Sequence, residues 1–383
     1  MAEQKQYVLG RGELHFARFL PGTQTPDSFI YIGNTPEVSL NIEVEDLQHF
    51  DADQGIREED DNVVLEVMRT GSFVTDNINA ENVALFFMGD ADILTQAAIP
   101  PVSQLIEEAR RGRGYALGSS DTNPEGFMGI DPATFSVMLA SGSVAATGTV
   151  TIGAGNASAG DTVVIGSRTY TYVASSPAAN QVLVGSNPTQ SAANLVAAIM
   201  GGPGSGSLYG AGTLPHAQVS ATSTGGTVTI TSRLFGSGGN SITLSATGVN
   251  ITVSGANLSG GANGTLLVAD VDYRINLDTG FLTFPNTSPA LSSPADVYVQ
   301  YGVRASTRTV VLSGNVQVEG AFRFESKNAR GPDQVIYMPW VKVSPNGDYA
   351  LKGDEWQQIP MQFKVMKKPG EPAIRRNGLP AYL

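Results

Sequence analysis

The sequence predicts a mainly-β chain with one helix outside its middle third. A small Gly/Ser/Thr-rich domain, β or α+β, is inserted within that third. Two observations carry this expectation. The first is the period of two in the C-terminal run from Thr309 to Lys368: Val316, Val318, Phe322 and Phe324 share one parity, and Asn315, Gln317, Glu319, Arg323 and Glu325 share the other. Such alternation puts the apolar set on one face of a sheet and the polar set on the other. The second is the placement of charge. Residues 1–140 hold 23 acidic and 8 basic side chains, whereas residues 141–263 hold only Asp161, Arg168 and Arg233 and carry half of the 44 glycines. An uncharged block between charged flanks divides the chain into a first part (1–141), an inserted domain (142–262) and a second part (263–383), the two flanks packing as one fold.

The flanks read as strands joined by turns. Leu14 and Phe16 share a face in the first strand, between Tyr7 and Phe19, and FIYIGN is a short second one. In EVSLNIEVEDLQ, Val38, Leu40, Ile42 and Val44 alternate with polar residues, and Val63, Leu65 and Val67 do so in the return strand. The intervening HFDADQGIREEDDN reads as a long loop. Asn79 caps AENVALFFMGD, with Val83, Phe86 and Phe87 as the apolar stripe and Gly89 as the stop. SQLIEEARRGRGYALG is ambiguous: Glu107 to Arg111 favours helix and Arg113 to Leu117 strand. Asn346-Gly347 suits a hairpin, and Ile359, Met361, Phe363 and Val365 alternate in the last strand.

Inside the block, short β-branched strands lie between glycine-rich turns, and TVTI occurs at both Thr149 and Thr227. NPTQSAANLVAAIM is the single helical pattern there, with Ala192, Leu195, Val196 and Ile199 on one side.

Chemistry-bearing motifs are sparse. Asp278-Thr279-Gly280 matches the aspartic-protease triplet, but that mechanism needs two carboxylates and no second triplet occurs. A hairpin turn accounts for it. The three histidines lie far apart and cysteine is absent, so no metal spacing is present. The glycine series lack the strand–turn–helix setting of a phosphate cradle. No enzyme and no cofactor is expected. There is no run of eighteen apolar residues, and MAEQKQYVLGRG lacks the layout of a signal peptide. The net charge of −12 disfavours wrapping nucleic acid by phosphate neutralisation.

One stretch is unusual. Glu43 to Asp61 carries nine carboxylates and one base, Arg57. A solvated charged loop is one explanation and an assembly or pore-lining role is the other; EF-hand spacing is not met. Asp51, Asp53, Glu58, Glu59, Asp60 and Asp61 are the candidate contacts, with Arg110, Arg111 and Arg113, or Lys367 and Lys368, as candidate basic counterparts.

The order of GRGELHFARF, TPEVSLNIEVEDLQHFDADQGIREEDDNVVLEVMRTGSF, AENVALFFMG, LLVADVDYRINLDTGFLTF and VEGAFRFESKNARGPDQVIYMPWVKVSPNGDYALKGDEWQQIPMQFKVMK resembles the major tail tube proteins of long, non-contractile bacteriophage tails. The resemblance covers 7–139 and 265–368, and the middle block is similar to the surface domains some of them carry. It implies a β-sandwich or barrel with one flanking helix, in hexameric rings that stack into a tube for DNA ejection. Tape measure and terminator proteins would be further partners, the inserted domain would contact the host surface, and the protein would reside in the virion after assembly in the host cytoplasm. The acidic 49–61 loop would be a ring-to-ring contact, and Gln317, Glu319, Arg323 and Glu325 would face the lumen or the next subunit. DNA would pass without specific binding. A contractile-tail inner tube is a close variant. A secreted or cell-surface adhesin with an Ig-like carbohydrate-binding module is the alternative from another class.

Overall fold

The computed structural model describes residues 7–379 apart from 52 and 54. The architecture is mainly β and the strands pair almost entirely antiparallel. The chain divides into two compact units, one formed by 1–94 with 307–383 and the other by 95–306.

The first unit opens with β1 (Gly12–Arg18), β2 (Ile30–Tyr31), β3 (Glu37–Asp51) and β4 (Glu58–Thr75), then α1 (Ala80–Phe86) and β5 (Asp90–Gln96). The Asn79 side chain accepts from the Asn82 amide at 2.7 Å and caps the helix. Asn82 is itself buried, and its amide donates to the carbonyls of Ile32 and Asn77. Leu85 is buried, and Val83 and Phe86 pack against the core. Phe87, expected in the stripe, is exposed because the helix has already ended at Phe86.

The second unit has two hydrophobic cores. One gathers residues from β6 (Ile99–Ala109), β7 (Arg113–Ala116) and β8 (Ser136–Leu139) together with chain from 267 onward. The ambiguous segment before Gly112 is thus strand, because β6 finds a ladder partner along most of its length. The other core is built by β9 (Ala145–Ile152), β10 (Thr162–Ile165), β11 (Arg168–Val173), β12 (Gln181–Leu183), α2 (Pro188–Met200), β13 (Val219–Thr224), β14 (Thr227–Phe235), β15 (Leu244–Ala246) and β16 (Ile251–Val253). These strands form two four-stranded sheets, β12-β11-β10-β15 and β13-β14-β9-β16. Asn187 caps α2, Pro188 takes the first turn and Gly201 closes it at φ 66°. Ala192, Leu195, Ala198 and Ile199 enter the core; Val196, expected beside them, is only partly buried. The two TVTI segments are ladder neighbours, with Val150 opposite Val228.

After the block come β17 (Arg274–Asn276), β18 (Phe281–Phe284) and β19 (Ala295–Val303). Asp278-Thr279-Gly280 is the turn between the first two: the Asn276 side chain accepts from the amides of Asp278 and Thr279, and Gly280 has φ 65°. A side chain there would be strained.

The compact division falls at 94/95 and 306/307. Residues 145–262 do have their own core. The flanking strands β6, β8 and β19 belong to the same unit as that core, whereas the charge pattern had grouped them with the termini. Charge texture follows surface composition, while compactness follows strand pairing.

The chain returns to the first unit through β20 (Ser306–Leu312), which pairs with β5, then β21 (Val318–Ser326), β22 (Gln334–Pro345), β23 (Ile359–Val365) and β24 (Arg375–Gly378). The main sheet runs β2-β1-β21-β22-β23-β4-β3, with β24 also on β22. Phe322 is fully buried among Phe16, Phe73 and Phe363, with ring centroids 5.0–5.6 Å apart. The expected continuous strand from Thr309 breaks at 313–317, leaving Val316 exposed. A bulge between Gly320 and Phe322 also disturbs the strict alternation, and Phe324 is only half-buried.

Candidate functional site

The acidic stretch is strand for most of its length rather than a long loop. The ladder between β3 and β4 runs from Glu37 opposite Val74 to Asp51 opposite Glu58, leaving only residues 52–57 as the turn. Val63, Val64 and Val67 on one strand and Ile42 and Val44 on the other supply the β-branched residues that extend it. The last ladder partner of β4 on β23 is Thr70, opposite Lys364. Beyond that point β3 and β4 leave the sheet as a two-stranded arm.

Its surface is unlike that of a solvated hairpin. Val38 and Phe73 sit on the core side of the sheet, and Leu40, Ile42 and Val44 continue the same parity into the arm. There they have no cover: Ile42 is 57% and Val44 54% exposed. The other parity carries Asn41, Glu43 and Glu45 opposite Thr70, Met68 and Glu66. Bulges after Glu45 and His49 then shift the register, and Leu47 and Val63 oppose each other, also exposed. Burying such a side chain is worth about 1.5–3 kcal/mol, so several left in water forgo a sizeable stabilisation. A lone two-stranded ribbon is itself marginal in water.

At the tip, the His49 imidazole meets Asp60 and Arg57 lies over the Phe50 ring at 5.3 Å. The Asp53 amide donates to the Asp51 carboxylate. Asp51 faces Glu58 across the ladder, and Glu59 and Asp61 lie beside them with no Lys or Arg partner among the described residues. Like charges facing one another cost stability unless something else approaches. Among the described residues, no three side chains are gathered as metal ligands would be. The arm also leaves backbone unpaired: β3 is the end strand of the sheet, and β4 pairs only with β3 from Glu58 to Arg69. Long free edges of this kind are templates for another chain.

The other candidates are differently placed. Glu319 accepts from the Trp340 indole at 3.0 Å and pairs with Lys342 at 2.8 Å. Arg323 and Glu325 pair with each other at 2.6 Å, and the Arg323 guanidinium holds the Glu325 carboxyl below its usual range. All four partners are half-buried, so that face is neutralised internally. Gln317 lies exposed before β21 begins. Of the suggested basic counterparts, Arg110 pairs with Glu108, Arg111 donates to the Ser288 carbonyl and Lys368 to the Gln24 carbonyl.

A family of proteins of unknown function, UCP028589, has a model matching residues 7–112 and 214–377. That is well over half of the chain. It belongs to the UCP028589 family. The UCP028589 match takes in the whole arm and nearly all of the first unit, and leaves out 113–213. No curated protein matches the chain.

Two features escaped the sequence. Arg375 and Arg376 form a short strand, β24, on the main sheet, in a stretch without alternation. Trp356 is 93% exposed on the 346–358 segment beside a cleft of 880 Å³; an isolated tryptophan in a sequence points first to a core.

Proposed function

We propose that this protein is a structural virion protein that assembles into stacked hexameric rings, forming the tail tube through which phage DNA passes during ejection. The observation that carries this reading is the arm: two long strands with free edges and an uncovered apolar parity suit a subunit completed by its neighbours. Contacts that repeat head to tail close into rings or extend into filaments, and a tube uses both. The net charge of −12 disfavours binding of a phosphate backbone, which suits a passage that DNA must cross without sticking. Gln317, Glu319, Arg323 and Glu325 are assigned to the lumen or the neighbouring subunit. Tape measure and terminator proteins are the expected partners, and the block around 145–262 is assigned to the exposed face of the virion and to host contact.

Negative-stain microscopy and light scattering of the purified protein over a concentration series test this. Rings or tubes are expected. Monodisperse monomers at every concentration would sink the reading and favour a binding module of the adhesin kind.

A further inference from the structure

The acidic arm has a surface of opposite charge on its own unit. At the turn between β21 and β22, the Lys327 amide donates to the Arg11 carbonyl at 2.8 Å and the Leu9 amide to the Arg330 carbonyl at 3.0 Å. β24 lies beside the start of β22, with Arg376 opposite Ile336 and Arg375 opposite Tyr337. Arg11, Lys327, Arg330, Arg375 and Arg376 are thereby gathered at one end of the sheet, all exposed. Local carboxylates answer little of this charge. Glu13 pairs with Lys327, and Asp333 accepts from the Asn328 amide. The Arg11 guanidinium donates to the Gly10 carbonyl, Arg330 lies over the Tyr7 ring at 5.9 Å, and Arg376 donates to Gln334. None of the four arginines has a carboxylate partner among the described residues.

We infer that the acidic arm of one copy docks on this arginine end of a second copy. The inference rests on the self-assembly reading above and names the surface that receives the arm. Charge complementarity selects it. Among the described residues, the arm carries Asp51, Glu58, Glu59 and Asp61 without Lys or Arg partners, and the receiving end carries four arginines without acidic ones. The cleft beside Trp356 has the wrong sign for the arm, with Asp348, Asp354 and Glu355 against Lys352. Each exposed pair is weak alone, but several formed together set register and exclude wrong partners. The guanidinium fork also suits carboxylates better than an ammonium would.

The test is a charge swap in the full chain. One variant carries Glu58→Lys, Glu59→Lys and Asp61→Lys; a second carries Arg330→Glu, Arg375→Glu and Arg376→Glu. Circular dichroism establishes that each is folded. Each alone is expected to raise the concentration needed for assembly by at least about tenfold at moderate salt. Mixed in equal amounts they should co-assemble, because every arm then finds an end of opposite sign. A chain carrying both sets should assemble alone. Single-set variants that assemble like the wild type, or folded variants that the swap does not rescue, would overturn the docking site while leaving self-assembly standing. A wild type that forms no assembly removes the functional reading itself, and this inference with it.

Discussion

The Nδ1 atom of His49 lies 2.5 Å from an Asp60 carboxylate oxygen, joining the two strands of the arm near its tip. The hydrogen bond from His49 holds the Asp60 carboxyl below its usual range. A depressed folded value means the stabilising contribution is present above the unfolded pKa, near 3.9, and is lost as pH falls through the folded one. The expected outcome is that His49→Ala returns the Asp60 titration to the ordinary carboxylate range. Carboxyl chemical shifts followed against pH in the isolated subunit check this. An unchanged Asp60 titration would show that the pair does not form in solution.

Phe322 is the centre of the first unit's aromatic cluster and has no exposed surface. Phe322→Ala should cost roughly 3–5 kcal/mol and leave most of the protein insoluble. Phe324→Ala, two residues on and only half-buried, should cost clearly less. Denaturant unfolding of the two variants ranks them; equal losses would mean that the bulge at Gly320–Phe322 does not set which ring enters the core.

Removal of the inserted block tests how autonomous its core is. Val144 and Ala262 exchange backbone hydrogen bonds at 2.8 and 3.1 Å, so the two ends already meet. Replacing residues 145–261 by a short Gly-Ser linker should leave the rest folded and able to assemble. Some local loss is expected around Tyr298, whose ring stacks on Phe235 at 4.0 Å. Scanning calorimetry that shows no remaining cooperative transition would refute the autonomy of the flanks.

A positive charge at the proposed lumen is best introduced at Gln317, because Glu319 and Glu325 are committed to Lys342 and Arg323. Gln317→Lys adds a cation without breaking a pair. If the residue lines the passage, particles should form normally and eject DNA slowly, with the defect easing as salt rises. Wild-type ejection from well-formed particles would remove Gln317 from the lumen.

Short-range pattern determined much of this protein. Alternation in EVSLNIEVEDLQ and in the VIYMPWVKVSP and IPMQFKV runs marked strands, because side chains two apart must share a face. Asn79 announced the first helix, since its cap is satisfied within three residues, and the apolar spacing of NPTQSAANLVAAIM announced the second. The Asp278-Thr279-Gly280 turn was legible for the same reason.

Only the tertiary structure decided what depends on distant partners. Val316 has the right parity for the core yet lies outside any strand, and Glu107 to Ala109 looked helical until β19 supplied a ladder. The carboxylates at 51 and 58–61 were legible as a cluster, but their place along a paired arm was not. Periodicity records which face a residue takes, and it cannot say whether anything covers that face. Nor could sequence bring Arg11, Arg330 and Arg376 together: the hydrogen bonds of Leu9 and Arg11 to the turn after β21 and the ladder between β22 and β24 do so. Local order follows from neighbours along the chain, whereas a surface is assembled from strands that meet only after folding.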